Sequence, residues 1–403
     1  MDAPEVLLES RRSDQDGVSF SFSGCVDQVA AACPGEVNAA LEEVERAVSR
    51  GLHAAGFIAY EAASGLDPAL KTRSPDAAPL VWFGLFERRT EPAAGRFCAG
   101  RTYSLSAWRP SITDTEYADA VAGIREYIAA GDTYQVNYSY RLRADFEGDA
   151  GALYSDLRRS QRTAYSAFVD TGRFQVLSVS PELFFRLKSG ELSARPMKGT
   201  RRRGRWPGED RLQARALRNS PKDRAENVMI VDMLRNDLGR VSETGSVRTP
   251  VLWDVERYET VLQMTSTVRS RLRGGVGVSD VLRAAFPCGS VTGAPKVRTM
   301  EIISELEDSP RGVYTGSIGY ISPGPEAQFN VAIRTVTVDR ETALAEFGVG
   351  SGVTHDSSTG TEYEECRTKA RFLTDSRIIR PGSANGRALY NQTGQRVDAP
   401  GSV

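Results

Sequence analysis

An α+β fold is predicted, with strands joined mainly as hairpins and helices inserted between groups of them. Apolar and polar residues alternate with period 2 over residues 134–142, as in a strand with two unlike faces. Strand-length runs meet at hairpin-sized breaks, such as Thr171-Gly172-Arg173 between 165–170 and 174–179. Helical periodicity returns only in separated blocks, which argues against a doubly wound parallel sheet. No internal repeat is evident.

The elements follow in chain order. Val37, Leu41, Val44 and Val48 recur at helical spacing and stop near Gly51, predicting a helix over 36–49. Residues 56–60 and 80–86 read as buried strands, and 90–100 as a loop. Tyr117, Val121, Ile124 and Ile128 share a helical face closed by Gly131. The 134–142 strand puts Tyr134, Val136, Tyr138, Tyr140 and Leu142 on one side. Gln135, Asn137, Ser139 and Arg141 fall on the other. Strands follow at 182–187 and 191–197, helices at 210–219 and 222–234, then strands at 312–321, 329–338 and 343–347. A last helix spans 361–373, and the polar, Gly-rich stretch from Pro381 reads as a frayed end.

Composition narrows the function. The 403 residues carry 51 Lys+Arg against 52 Asp+Glu, a net charge of −1. Such a chain lacks the overall electrostatic pull of a nucleic-acid or anionic-membrane binder. No apolar run approaches the ~18 residues of a membrane span, and the amino terminus has no secretory pattern. Five cysteines without a C-x-x-C spacing fit a reducing compartment, so a cytoplasmic location is expected. His53 and His355 are the only histidines, which excludes zinc sites built on His pairs. Lysine is scarce, six against 45 arginines, so a lysine inside a motif stands out.

Asp223/Glu226 and Glu362/Glu365 are acidic pairs at i,i+3 on expected helices. Each pair shares a helical face and reads either as a solvated surface or as half of an oxygen-only Mg²⁺ site. Lys369, one turn beyond Glu365, is a natural ion-pair partner. The basic stretch from Arg195 to Arg205 has three readings: a nucleic-acid patch, a solvated loop, or a segment that carries Lys198 into the fold. In the third, neighbouring arginines lower the lysine pKa and favour a nucleophilic amine. The segment from Gly289 to Lys296 lacks the order of a nucleotide phosphate loop, because Pro295 intervenes and Val297 follows the lysine. Gly348-Val-Gly-Ser-Gly352 has no dinucleotide fingerprint after it. Both stretches can bring backbone N–H groups against a carboxylate.

Nine motifs occur in order between residues 113 and 375: YQVN, SVSPELF, RPMKGTRRRG, PKDRAENVMIVDMLRNDLGRV, FPCGSVTGAPKVRTMEII, YTGSIGY, VAIRT, GVGSGVTHDS and EYEECRTKA. Through them the sequence resembles the chorismate-utilising enzymes, and within them the aminodeoxychorismate synthase component I branch. The resemblance implies two packed lobes of antiparallel sheet with helices outside. It also implies an amino-terminal region over 1–110, like that of anthranilate synthase component I, a chorismate-binding catalytic region over 111–378 and a flexible tail over 379–403.

By the family pattern Glu226 and Glu365 bind Mg²⁺, and Asp223 and Glu362 hold its waters. Mg²⁺ would anchor the ring carboxylate of chorismate, with Lys369 nearby. Tyr314, Arg334 and the backbone of Gly350 and Gly352 would meet the enolpyruvyl carboxylate, and Ser290 is placed among the substrate contacts. Lys198 carries the branch assignment, because anthranilate- and isochorismate-forming relatives usually have Ala there. The implied reaction converts chorismate and ammonia to 4-amino-4-deoxychorismate, a precursor of 4-aminobenzoate. Lys198 adds to the ring as Glu182 protonates the departing hydroxyl, and ammonia then displaces the lysine. Gln135 fits an ammonia user, since water-using relatives carry a lysine near this position. Gln263, grouped with the catalytic residues, stands where many relatives have His; it can hydrogen-bond but cannot form an imidazolium. His355 is expected to be structural or incidental. Gln161–Tyr165 reads QRTAY where anthranilate enzymes carry NPSPY of a tryptophan-regulation site, although Ser10 is kept. Two widely spaced histidines leave no Cys–His–Glu relay, so ammonia is expected free or from a separate glutamine amidotransferase subunit. The alternatives are anthranilate synthase component I and a non-catalytic binding protein of the same fold.

Overall fold

Hairpin-length connections suit antiparallel pairing, and the strands pair accordingly. The computed structural model describes residues 4–374 except 13, 14, 16, 94–96, 98–100 and 260, together with the backbone of 389–390 and 396–397. Among these residues every strand pairing is antiparallel.

Nineteen strands form one connected sheet. From the hairpin of Arg248–Arg257 and Val261–Arg271 the ladder passes through Glu191–Arg195, Leu183–Lys188, Glu326–Asn330 and Ser317–Ser322. It continues through His53–Ile58 and Val81–Thr90 to Phe20–Ala31. Glu5–Glu9 then pairs with Phe20–Ala31 on one edge and Tyr165–Asp170 on the other. Beyond it lie Phe174–Ser180, Thr335–Asp339, Leu344–Val353 and Gln135–Gly148.

The strand Glu5–Glu9 therefore joins two halves of the sheet. Phe57 and Trp82 from one half share a core with Val169 and Val176 from the other, and Val6 lies in the same cluster. Helices cover the outer faces. Val37–Ser49, Pro221–Gly239 and Val278–Ala285 bury Val44, Leu234 and Leu282 with Phe83 and Phe329. Asp114–Ala129, Ala150–Ser160 and Thr359–Thr374 bury Tyr117, Leu153 and Phe372 with Leu177 and Phe347. The result is the α+β class expected, two sheet lobes packed together with helices outside. Strands from both sides of residue 110 share this sheet. The 379–403 segment lies outside the described residues, apart from the backbone of two short paired strands.

Several expected elements take different bounds. The strand expected over 134–142 is Gln135–Gly148, with Tyr134 outside it and 72% exposed. Its polar face is buried: Gln135, Asn137, Ser139 and Arg141 all lie inside. The strand expected over 329–338 is two strands, Glu326–Asn330 and Thr335–Asp339, broken where Arg334 adopts a φ of 52°.

Leu7 is buried in one core while its neighbour Val6 is buried in another. Leu7→Ala is expected to lower the unfolding free energy by about 2–5 kcal/mol, measurable by urea titration.

Candidate active site

Lys198 is aimed by a backbone irregularity. The strand Met197–Arg202 shifts register against Val261–Arg271 between Met197 and Thr200, and Gly199 between them has a φ of 100°. Such a bulge re-aims the side chain beside it. A Cβ on Gly199 would lie 3.1 Å from Cβ of Asp223, so glycine also admits the Pro221–Gly239 helix at close range. Asn227 of that helix donates to the Lys198 carbonyl at 3.4 Å. The Lys198 amine ends beside Gly352, where a Cβ would lie 2.5 Å from Nζ and would overlap the Gln135 amide. Gly352 thus leaves room for both side chains. The Gln135 Oε1 is buried without a hydrogen-bond partner.

Burial holds the Lys198 amine below the ordinary lysine range; Lys369 acts the same way, against the pull of Glu226, Glu365 and Glu182. Burial, not the neighbouring arginines, is therefore the main cause. Those arginines are occupied elsewhere: Arg195 with Glu256 at 2.6 Å, Arg203 with Asp210 at 2.7 Å and Arg205 with Glu209 at 3.1 Å. With most of its arginines ion-paired, this stretch is a poor nucleic-acid patch, and of the three readings the one that carries Lys198 inward fits best.

Glu182 is 3% exposed. Burial raises its carboxyl to about 7, while Ser290, the Met197 amide, Lys198 and Lys369 favour the ionised form. Ser290 Oγ donates to Glu182 Oε1 at 2.7 Å, so the Ser290 hydroxyl is engaged with this carboxyl. A carboxyl near neutrality can hold a proton and release it.

The acidic pairs separate into different roles. Burial raises Glu226, as do Asp223 and Glu365, against Lys198 and Lys222. Burial acts most strongly on Glu365 and raises it, but Lys369, Lys198 and Lys222 together outweigh burial, and the carboxyl stays below its usual range. Lys369 Nζ lies 2.7 Å from Glu365 Oε1 and donates to the Gly350 carbonyl at 2.9 Å. The two side chains are 42% and 44% accessible. Glu362 is buried and accepts from Ser357 Oγ at 2.7 Å. Among the described residues no three His, Cys, Asp or Glu side chains gather as a metal cluster. Glu226 and Glu365 nevertheless supply an all-oxygen pair from two helices, with lysines as counter-ions, and such donors suit a hard divalent cation.

The remaining residues divide. Tyr314 is buried with the Arg141 guanidinium over its ring at 5.2 Å, and Lys369 acts on its hydroxyl. Arg334 instead donates to Gln161 at 2.6 Å, and the groups acting on it are Tyr258 and Glu259. Gln263 accepts from Thr200 Oγ1 at 3.0 Å. Lys296 bonds Asp237 at 2.9 Å and the Ala285 carbonyl at 2.8 Å, which leaves it unsuited to a phosphate. His355 is exposed beside Asp356. Lys222, 3.9 Å from Glu226, was not singled out from sequence; its rarity in an arginine-rich chain was the available signal.

A lysine held below its usual range, a carboxyl near neutrality and a pair of glutamates are groups suited to nucleophilic and acid–base chemistry. Residues 96–375 match the chorismate binding enzyme family, and the chain belongs to that family. It is 44% identical to the aminodeoxychorismate synthase component 1 of Klebsiella aerogenes over 296 residues, covering 73% of this chain and 63% of that protein. Anthranilate synthase component 1 of Aquifex aeolicus is 43% identical over 66% of this chain and 53% of its own length. The chain thus spans less than two thirds of these curated relatives. The crystal structure of anthranilate synthase component I from Streptococcus pneumoniae superposes with a TM-score of 0.78 at 27% identity, covering 90% of this chain and 93% of that one.

Glu182 gives a stability test. Its folded value of about 7 exceeds its ordinary value of 4.5, so its ionisation opposes folding increasingly as pH rises from about 4.5 to 7. Glu182→Gln should stabilise the protein by up to about 3 kcal/mol at pH 8 and hardly at pH 4, as read from urea titrations at both values.

Proposed function

We propose that this chain converts chorismate and ammonia to 4-amino-4-deoxychorismate. The observation that carries this reading is the Lys198 amine, partly buried, with the carboxylates of Glu226, Glu365 and Glu182 acting on it. The 44% identity to an aminodeoxychorismate synthase component 1 supports it.

The reaction uses two groups of complementary protonation. The neutral Lys198 amine attacks the ring as the bond to the hydroxyl breaks, and Glu182 gives its proton so that water leaves. The lysine, now bonded to the ring, loses a proton to the Glu182 carboxylate. Ammonia then forms the new C–N bond while the lysine departs, taking back a proton. Hydroxyl is exchanged for amine and the enolpyruvyl group stays. Gln135 Oε1, buried and unpaired, is suited to accept a hydrogen bond from ammonia. Glu226 and Glu365 would hold Mg²⁺, and Asp223, beside Glu226, would hold its waters. When bound, the ion supplies positive charge for a substrate carboxylate. Lys369 and Tyr314 would receive the substrate's negative charge. A separate glutamine amidotransferase subunit would supply the ammonia.

Mass spectrometry of products from chorismate, Mg²⁺ and ammonium tests the proposal. The expected product is 4-amino-4-deoxychorismate, lost on Lys198→Ala and on chelation with EDTA. Anthranilate with pyruvate would assign the anthranilate reaction instead, and an unchanged rate in the variant would remove the lysine from the mechanism. Glu182→Gln is expected to slow turnover by about 10²–10⁴-fold.

A further inference from the structure

Arg311 and Glu307 form a buried ion pair that takes no part in the chemistry above. The two are each 1% exposed and meet at 2.6 Å. The guanidinium distributes its donors widely: Nε to Glu307 Oε2 at 3.0 Å, Nη1 to the Val291 carbonyl at 2.7 Å and to Thr315 Oγ1 at 3.3 Å, and Nη2 to the Asn137 carbonyl at 2.6 Å. Glu307 Oε1 accepts from both the amide and the hydroxyl of Ser139, at 2.9 and 2.8 Å. The Arg311 amide donates to Glu61 at 2.6 Å, and Arg141 lies 3.8 Å from Glu307.

The two carbonyls matter for what they carry. Asn137 is two residues from Gln135 on the same strand. Val291 follows Ser290, whose hydroxyl donates to Glu182. The strand and the turn touch directly where the Asn137 amide donates to the Thr292 carbonyl at 2.7 Å, and Arg311 closes the joint from behind. A planar fork with donors in fixed directions can span these acceptors, whereas a lysine ammonium is a single point.

We propose that Arg311 is a positioning residue, which sets the spacing between the strand bearing Gln135 and the turn bearing Ser290, and through Ser290 orients Glu182. The inference rests on the role of Glu182 proposed above.

The test compares the full chain with Arg311→Lys and Arg311→Met, alone and combined with Glu182→Gln. Turnover of chorismate with Mg²⁺ and saturating ammonium is measured alongside amide hydrogen exchange. In the folded variants kcat is expected to fall by about 10–100-fold, with KM within about threefold and Lys no better than partial rescue. Exchange should quicken at Asn137, Ser139 and residues 289–292 while the His53–Ile58 strand keeps its protection. In the Glu182→Gln background the Arg311 change should cost little more. Wild-type turnover in Arg311→Lys would overturn the proposal. So would losses that add fully to Glu182→Gln, or exchange raised uniformly across the chain. Should both Arg311 variants fail to fold, Glu307→Gln, which loosens the guanidinium without removing it, takes their place with the same outcomes. If the wild-type chain consumes no chorismate, the proposed function fails, and the local exchange pattern still decides whether Arg311 holds strand and turn together.

Discussion

The account depends on the cost of keeping a lysine amine away from bulk water. An ammonium loses hydration on burial and is retained only where opposite charges lie near, or else it sheds its proton. Lys198 sits between these outcomes. Burial and Lys369 favour the free amine, while three glutamates favour the ion. A nucleophilic amine needs access to the neutral form, and the glutamates keep the site from excluding the charged form that follows attack. The same desolvation raises Glu182. One physical condition, a poorly hydrated cleft, thus moves an amine and a carboxyl toward each other in pKa, as proton exchange between them requires.

The fold supplies that cleft from segments far apart in sequence. Lys198 comes from a bulged strand, Glu226 and Glu365 from two helices, Gln135 and Gly352 from neighbouring strands, and Ser290 from a short turn. Removing one partner of a buried pair is more damaging than replacing both. Charge matching therefore continues behind the site, where Arg311, Glu307, Arg141 and Glu61 form a second buried set. The joint between lobes is simpler: the five-residue strand Glu5–Glu9 hydrogen-bonds to one half of the sheet along each edge.

Much of this was legible in the sequence, and the gaps have physical causes. Helices with a clean apolar stripe, such as Val37–Ser49, and hairpins with a turn glycine, such as that at Gly172, follow from local periodicity. The alternation of residues 135–142 was visible too, yet not that its polar side would be buried, since the cleft it lines is made by distant segments. The break at Arg334 lies within the run VAIRTVTV, whose composition favours an unbroken strand; tertiary contacts impose it. Arg248–Arg257 lacks alternation because much of it is exposed on both sides. For the site, i,i+3 spacing showed that Asp223 and Glu226 share a face but not which helix would come to face them. The basic stretch around Lys198 stayed ambiguous because a bulge at Gly199, rather than composition, turns that lysine inward.

The central claim is that Lys198 itself bonds to the substrate ring. Mixing the chain with chorismate and Mg²⁺ in the absence of ammonia, quenching, and mapping peptides by mass spectrometry addresses it most directly. A chorismate adduct less one water on the peptide containing Lys198, cleared when ammonium is added at a rate no slower than turnover, is the expected result. Full turnover of chorismate and ammonia with an unmodified Lys198 peptide at every time point would contradict it.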